Sequence, residues 1–417
     1  MRDLIRNRPV FAWALYDWAN SAFATTVMAG FFPLFFQKYW SVGVDPTDTT
    51  ARLGFANAAA GLVIAALAPI LGAIADRGAR RKQFMFGWTL LGVGASAALY
   101  FVGQGDWVWA AAFFVLGVMG FNGGVVFNDA LILDVAKPEE LDRVSSFGYA
   151  LGYLGGGVLF LINAVMYLKP AWFGLPDGTT AVRVSFLTVA AWWLIFTIPL
   201  MRRVQEQHRG PTPPMGEAIV AGLRELRATI AHARQHKVVL TFLVAYWFYI
   251  DGVNTIIKMA VDFGLAIGLD AGSLLIALLV TQFVAFPASL LFGWLGNRIG
   301  PKRGILIGLV VYGGITVYAN FLDTTTEFFA MAVAVGLVQG GVQSLSRSLF
   351  GRLIPEGKNA EYFGFYNMMG KFATVFGPLI VGIVASVAHD TRLANASIVV
   401  LFIVGGFLLL RVPVDRK

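Results

Sequence analysis

YDWANSAF, residues 16–23, lies inside the first long apolar run of the chain, residues 10–36, in which Asp17 is the only charged residue. If this run crosses a bilayer as a helix, Asp17 lies about 8 residues from its start, or about 12 Å deep and near the midplane. A charge at that depth costs at least about 2.5 kcal/mol, so it usually faces water, a partner or a substrate. The alternative is a packing aspartate that is hydrogen-bonded to a neighbouring helix.

The composition indicates an integral membrane protein. Hydrophobic residues make up 57% of the 417 residues, charged residues only 13%, and the mean hydropathy is +0.70, whereas a soluble domain has about 25% charged residues. The chain has no cysteine, 4 histidines and no HExxH motif, so we expect neither thiolate nor zinc chemistry and no cofactor. The net charge of +8 does not indicate nucleic-acid binding, because the positive residues are distributed as in membrane loops.

Twelve apolar spans are long enough to cross a bilayer as helices, which predicts an all-α fold with twelve transmembrane helices. Their continuous apolar character excludes a β-barrel, in which apolar and polar residues alternate. The first span is too long for a signal peptide, so we expect it to be retained as a helix. The spans are 10–36, 53–75, 83–103, 107–131, 144–168, 183–201, 238–264, 272–296, 304–322, 327–350, 360–388 and 393–411.

The distribution of Lys and Arg predicts the orientation. With a cytoplasmic N-terminus, the inside segments carry 25 Lys and Arg residues and the outside segments 5. Such a bias predicts that both termini are cytoplasmic. We therefore expect a multi-pass protein of the cell inner membrane.

The longest polar stretch divides the spans into two sets of six. It predicts a six-helix half at 1–201, a cytoplasmic linker at 202–237 and a second half at 238–417. Apolar residues recur at helical spacing from Ile219 to Ile230, which predicts an amphipathic helix on the membrane surface. A docking site for a partner is the alternative.

The two halves repeat several motifs. Asp17-x-x-Asn20-Ser21 recurs as Asp251-x-x-Asn254-Thr255, and the stretch from Gly72 to Arg77 recurs from Gly293 to Arg298 with Asn297 in place of the aspartate. Repeated halves are typical of secondary transporters whose site lies between them.

GAIADRGARRK, residues 72–82, resembles the signature between helices 2 and 3 of the major facilitator superfamily. This resemblance implies two pseudo-symmetric halves and a charge network that closes the cytoplasmic side, and it implies stronger charge locking at the first copy than at the second. The expected gating residues are Asp76, Arg77, Arg80, Arg298 and Arg347.

Within that superfamily, residues 16–23 resemble the vacuole effluxer-like family, which comprises autophagy-related amino-acid exporters and bacterial relatives. Residues 143–156, 251–257, 336–348 and 363–372 are similar to the same family. The eukaryotic members are associated with amino-acid export, so the resemblance implies transport of an amino acid or similar zwitterion.

Polar residues within the spans give the candidate substrate site. Superfamily members line their cavity mainly with spans 1, 4, 7 and 10, and Lys371 on span 11 is expected to be the only cation near the depth of Asp17 and Asp251. We expect Lys371 to be balanced by one of these two aspartates. The candidate binding residues are Asp17, Asn20, Asn122, Asp251, Asn254, Gln339, Gln343, Asn367 and Lys371.

The sequence therefore predicts a monomeric secondary active transporter of a small polar solute, working by alternating access with proton coupling. No GxxxxGK[ST] motif is present, so ATP is not expected to drive it. A uniporter or exporter of a sugar or lipid-like metabolite remains the alternative. A membrane receptor or enzyme is a weaker one, because the charges within the spans are too scattered to form a catalytic site.

Overall fold

The computed structural model describes residues 2–43, 63, 67–76, 80–207, 214–231, 237–266, 271–322, 324–355, 358–373, 377, 380, 384 and 396–413. These residues form helices joined by short connections and include no β-strand. The helices of the bundle are α1 Arg8–Trp40, α2 Leu67–Asp76, α3 Arg81–Phe101, α4 Trp107–Val135, α5 Leu141–Leu168, α6 Gly178–Arg203, α7 Lys237–Ala266, α8 Ala271–Ile299, α9 Pro301–Tyr318, α10 Thr325–Leu353, α11 Asn359–Phe372 and α12 Val399–Leu410.

Nine described helices are long and apolar enough to cross a membrane. The other three, α2, α11 and α12, are shorter, and much of predicted spans 2 and 11 lies outside the described residues. An all-helical membrane fold is therefore confirmed, while the number of twelve crossings stays a prediction.

The first helix extends further than the sequence predicts. It comprises 33 residues, or about 50 Å, and changes to π-helical turns at Phe23–Phe31 and Phe36–Trp40. Asp17 is nine residues from its start, about 14 Å along the helix. The helix begins two residues before the apolar run 10–36 and ends four residues after it, so the place of Asp17 near the midplane stays a prediction.

Helix α5 packs closely against α1 through glycines spaced four residues apart, at positions 148, 152 and 156. A Cβ at Gly148 would lie 2.5 Å from Oδ2 of Asp17, and one at Gly152 would lie 2.8 Å from Oγ of Ser21. Small residues at this spacing allow membrane helices to approach each other closely. The stripe holds Asp17 against α5.

Helices α6 and α10 each begin with a side-chain cap. The Asp177 carboxylate accepts a hydrogen bond of 2.6 Å from the backbone N–H of Thr180 at the start of α6, and this bond lowers the pKa of Asp177. Thr324 and Glu327 form a capping box at the start of α10. Both caps satisfy backbone donors that have no partner within the helix.

A separate linker helix, Met215–Ala231, lies between α6 and α7, within the stretch 202–237 for which the sequence predicts a helix. It rests on α2, where a Cβ at Gly222 would lie 2.8 Å from the backbone of Ile74. The six helices before the linker contact the six after it. Helix α5 packs against α8 and α10, and helix α4 packs against α11. We call these contacts the seam.

Candidate functional site

Arg347 of α10 lies at the seam, and only 2% of its side chain is exposed. Nη1 donates to Oδ1 of Asp129 at 2.9 Å and to Oδ2 of Asp17 at 3.3 Å, and Nη2 donates to the same Asp17 oxygen at 3.3 Å. Nε donates to Oγ of Ser145 at 2.9 Å and Nη2 to the Ser145 carbonyl at 2.8 Å. A guanidinium has five N–H donors, so every donor of Arg347 is used on α1, α4 and α5.

Two aromatic rings also contact the Arg347 guanidinium. Its central carbon is 4.9 Å from the ring centroid of Trp13 and 4.3 Å from that of Tyr149. Both distances are within the range of cation–π attraction, which strengthens when the groups are desolvated. The indole N–H of Trp13 donates to the Asn128 carbonyl at 2.7 Å, which fixes the ring in place.

The two carboxylates that bind Arg347, Asp17 and Asp129, also accept hydrogen bonds from neutral side chains. Nδ2 of Asn128 donates to Asp17 at 3.1 Å, and Nδ2 of Asn367 donates to Asp129 at 3.2 Å. We call Asp17, Asn128, Asp129, Ser145, Arg347 and Asn367 the Arg347 cluster. With both acids ionised, it contains two negative charges and one positive charge.

Gly148 is a structural requirement of this arrangement. A Cβ at this position would lie 2.5 Å from Asp17, 2.8 Å from the Trp13 ring and 3.0 Å from Nη2 of Arg347. Contacts that short require a neighbour to move. Any larger residue at position 148 would therefore displace Asp17, Trp13 or Arg347.

Helices α5 and α10 are joined by polar contacts on both sides of Arg347. Oγ of Ser145 donates to the Ser344 carbonyl at 2.7 Å, and the hydroxyls of Ser146 and Ser344 are 2.9 Å apart. Toward the end where α1 begins, Asp142 binds Arg352 at 2.7 Å. These contacts close the seam at this end of the bundle, which we call the closed end.

A second charge cluster at the closed end surrounds Arg81. Its Nη2 is 3.0 Å from Asp134, and its Nε is 3.7 Å from Asp76 and 3.6 Å from Glu206. Asp76 also accepts a hydrogen bond of 2.9 Å from the backbone N–H of Glu361, at the start of α11. The N-terminus of a helix favours negative charge, so Asp76 joins α2 to α11 across the seam.

The beginning of the linker is fastened to this cluster. The Glu206 carboxylate accepts from the backbone N–H groups of Arg81 at 2.9 Å and of Lys82 at 3.0 Å, and so caps α3. Nζ of Lys82 donates to the Val204 carbonyl at 2.6 Å, and the Gln207 N–H donates to Asp134 at 3.1 Å. Movement of α3 is therefore coupled to the linker.

The other predicted gating residues differ in their positions. Arg80 immediately precedes α3 and lies next to Arg81, whose ion pairs are described above. Arg298 is exposed and lies over the Trp294 ring at 4.5 Å. Among the described contacts, the ion pairs of Arg81 lie at the first copy of the motif, whereas Arg298 at the second copy contacts an aromatic ring. Arg77 lies outside the described residues.

Several predicted binding residues do not reach the Arg347 cluster. Asp251 is buried and accepts from the Gly377 N–H at 2.8 Å and from Thr255 at 3.5 Å, both within the second set of helices. Asn20 and Asn122 are each only 3% exposed, and Asn254 is half-buried.

The remaining predicted binding residues are two glutamines and Lys371. Gln339 is 8% exposed, and Gln343 accepts from the Tyr153 hydroxyl at 3.5 Å across the seam. Lys371 belongs to α11, but its side chain lies outside the description. The expectation that Lys371 is the only cation near the depth of Asp17 is wrong, because Arg347 contacts Asp17 directly.

A cavity opens on the opposite side of the glutamines, away from the closed end. Its walls are apolar side chains of α7 to α10, including Ile256, Leu278 and Phe328, and Ala29 of α1 and Ile398 also contribute. Its polar lining comprises Thr281, Gln282, Thr316 and Gln339. Gln339 therefore forms part of the boundary between this cavity and the closed end.

Sequence reasoning missed several residues of these clusters. Arg81 lies within the motif that was recognised, but Asp134, Glu206 and Ser145 belong to no repeated pattern. Asp134 lies at the end of α4, and Glu206 follows the end of α6. Their shared contact with Arg81 therefore depends on how these helix ends meet. Only tertiary structure provides that information.

The comparisons with known proteins agree with this architecture. The family description "Vacuole effluxer Atg22 like" matches residues 46–417. The uncharacterized MFS-type transporter YxiO of Bacillus subtilis is 38% identical over 408 residues, which cover 97% of this chain and 95% of the relative. Autophagy-related protein 22 of Yarrowia lipolytica is 28% identical, and the alignment covers 71% of this chain and 55% of that protein, so the chain matches about half the length of this fungal relative.

Solved structures show the same fold. The major facilitator superfamily transporter FucP, in its outward conformation, superposes with a TM-score of 0.72 at 12% identity, covering 98% of this chain and 99% of that one. The human organic anion transporter MFSD10 gives a TM-score of 0.71 at 14% identity, covering 96% and 99%.

The fold and the relatives define a multi-pass membrane transporter of the major facilitator superfamily. The chain belongs to the vacuole effluxer Atg22-like family. Because its relatives are transporters, the prediction that it is not an enzyme is confirmed.

Proposed function

We propose that this protein is a secondary active transporter that works by alternating access, and that the Arg347 cluster is the lock of its closed end. One observation carries the proposal. All five N–H donors of Arg347, on α10, are bound by α1, α4 and α5 across the seam. Opening this end requires these bonds to break together or to be exchanged for bonds to a solute or water.

The proposed orientation places the closed end in the cytoplasm. The excess of Lys and Arg in alternate loops supports cytoplasmic termini, and the closed end is where α1 begins. The state described here is then outward-facing. We further propose twelve helices in two six-helix halves, residues 1–201 and 238–417, in the inner membrane and acting as a monomer.

An amino acid or similar zwitterion is the proposed substrate. Asp17 and Arg347 bring opposite charges to one place, and an ammonium and a carboxylate are the groups that would replace each partner when the pair separates. Gln339 and Gln343 precede Arg347 on α10 by two turns and one turn, and they provide neutral hydrogen-bonding groups. The roles of Asn20, Asn122, Asn254 and Lys371 in binding stay predictions.

Proton coupling is proposed from the charge balance of the cluster. Two carboxylates face one guanidinium, and an uncompensated charge in a buried site is expensive. A proton on Asp17 or Asp129 would neutralise the cluster and weaken the hold on Arg347. Proton binding would thereby favour opening of the closed end.

The apolar cavity supports a second candidate, the transport of an amphipathic, lipid-like solute. Its walls are mainly aliphatic and aromatic, so an apolar chain would fit there with its polar group at Gln339. The two candidates differ in the solute that must bind, a zwitterion for the first and an amphipathic lipid for the second.

A thermal-shift screen of amino acids, sugars and lipids on the purified protein distinguishes these candidates. A ligand of the folded state raises the melting temperature in a concentration-dependent way. Each hit is then tested by counterflow in proteoliposomes, where a carrier saturates and exchanges labelled for unlabelled solute. Shifts confined to amino acids support the first candidate, and shifts confined to amphipathic lipids support the second. Counterflow by no hit would contradict the proposal.

The Asp17→Asn variant tests the coupling. If Asp17 carries the proton, this variant loses transport driven by a pH gradient and keeps exchange, because exchange requires binding without net proton movement. Asp106→Asn is the matched control, since this exposed aspartate immediately precedes α4 and lies outside the lock. Gradient-driven uptake at the parent rate in Asp17→Asn would remove Asp17 from the coupling step.

A further inference from the structure

The linker helix Met215–Ala231 presents an apolar stripe to its surroundings. Met215, Ile219 and Leu223 are 41%, 39% and 46% exposed and follow one another at four-residue spacing. Residues four apart share a helix face, so these three side chains form one continuous strip. Exposed apolar residues in a continuous strip mark an interaction surface.

A neighbouring face of the linker helix packs against the bundle. Ala218 is fully buried, and a Cβ at Gly222 would lie 2.8 Å from the Ile74 backbone and 2.9 Å from that of Ala73. The two small residues, also four apart, bring the helix against the end of α2. The apolar stripe therefore runs alongside this contact, next to the end of a bundle helix.

Basic residues continue the stripe. Arg227 occupies the next four-residue step after Leu223, Arg224 is adjacent, and both are exposed. The polar stretch 202–237 contains seven Lys and Arg residues against three Asp and Glu. Long basic side chains beside an apolar stripe place their charge at the headgroups while the stripe contacts the acyl boundary.

We propose that the linker helix is a membrane-binding surface that recognises anionic phospholipid headgroups. The stripe from Met215 to Leu223 enters the interface, and Arg224 and Arg227 bind the headgroup phosphates. Because Gly222 touches α2 and Glu206 caps α3, the lipid-bound linker holds both helices at the closed end. This inference concerns the surface of the protein and does not depend on the identity of the transported solute.

Single labels on the full-length protein test the proposal. The chain has no cysteine, so Leu223→Cys and Ala228→Cys each give one site for an environment-sensitive fluorophore. Ala228 is exposed and lies about 140° around the helix from Leu223, which makes it the matched control. The labelled proteins are reconstituted in phosphatidylcholine vesicles, with or without phosphatidylglycerol, that contain spin-labelled lipid as quencher.

We expect lipid quenching and a blue shift at position 223 but not at 228, with a larger effect when phosphatidylglycerol is present. Added salt, or the double change Arg224→Gln with Arg227→Gln, should abolish the phosphatidylglycerol-dependent part, since screening weakens exposed charges. Equal water exposure at 223 and 228 would overturn the proposal. Shielding of 223 that depends on protein concentration and not on lipid would overturn it in favour of a protein partner, and indifference to phosphatidylglycerol would remove the anionic headgroup from it.

Discussion

Replacement of Arg347 by lysine should open the closed end without removing its positive charge. An ammonium has three N–H donors against the five of a guanidinium, so at least two of the bonds to Asp17, Asp129 and Ser145 are lost. Hydrogen bonds to charged groups contribute about 1.5–3 kcal/mol each, and water has little access to a side chain that is 2% exposed. The closed state therefore loses about 3–6 kcal/mol.

This loss should be visible as a change in conformational populations. At about 1.4 kcal/mol for each factor of ten, the ratio of closed to open molecules falls by at least about 100-fold. Spin labels at Glu139→Cys and Arg303→Cys report it, because both residues are exposed and flank the closed end on opposite sides of the seam. The absence of native cysteine makes the labelling specific.

We expect a longer distance between the two labels in Arg347→Lys than in the parent protein. Arg298→Lys is the control, because the same chemical change is made at an exposed arginine that rests on Trp294. An unchanged distance distribution in folded Arg347→Lys protein would show that the guanidinium bonds do not hold the closed end, and the reasoning would be refuted.

Three further changes test neighbouring parts of the structure. Gly148→Ala inserts a methyl group 2.5 Å from Asp17 and should destabilise the closed state by about 1–3 kcal/mol, measured with the same spin labels; Gly87→Ala, which has open space around it, should have no such effect. Asp76→Asn should widen the closed end and lower transport, because it weakens the contact with α11; cytoplasmic accessibility equal to the parent would contradict this. Hydrogen bonding lowers the pKa of Asp177, so its cap stabilises the fold above the unfolded pKa of about 3.9, and this stabilisation is lost as pH falls through the folded pKa. Asp177→Ala should therefore flatten the acid dependence of the melting temperature. An unchanged acid profile would argue against the cap.

Much of the fold could be predicted because membrane helices leave a simple signal. Continuous apolar runs indicate helices, and their ends were predicted to within a few residues for α4, where 107–131 became Trp107–Val135. The linker helix was also predictable from the spacing of its apolar residues. These features depend on local sequence, which a single chain displays directly.

The partner of Asp17 could not be predicted in the same way. Depth was counted from the ends of apolar runs, which left Lys371 as the only cation expected near the depth of Asp17. The structure shows that α10 continues to Leu353 and that the long Arg347 side chain reaches Asp17. Such a pairing depends on helix positions and side-chain reach, so polarity along one helix does not reveal it.

A reversible disulfide across the seam tests the central claim most directly. The hydroxyls of Ser146 and Ser344 are 2.9 Å apart, so cysteines at these two positions are placed to form a bond that fastens α5 to α10. The measurement is counterflow of a radiolabelled amino-acid mixture in proteoliposomes, before oxidation, after oxidation and after reduction. Alternating access predicts that oxidation stops counterflow and that reduction restores it. Counterflow at the full rate with the disulfide quantitatively formed would show that the closed end need not open, and would contradict the account.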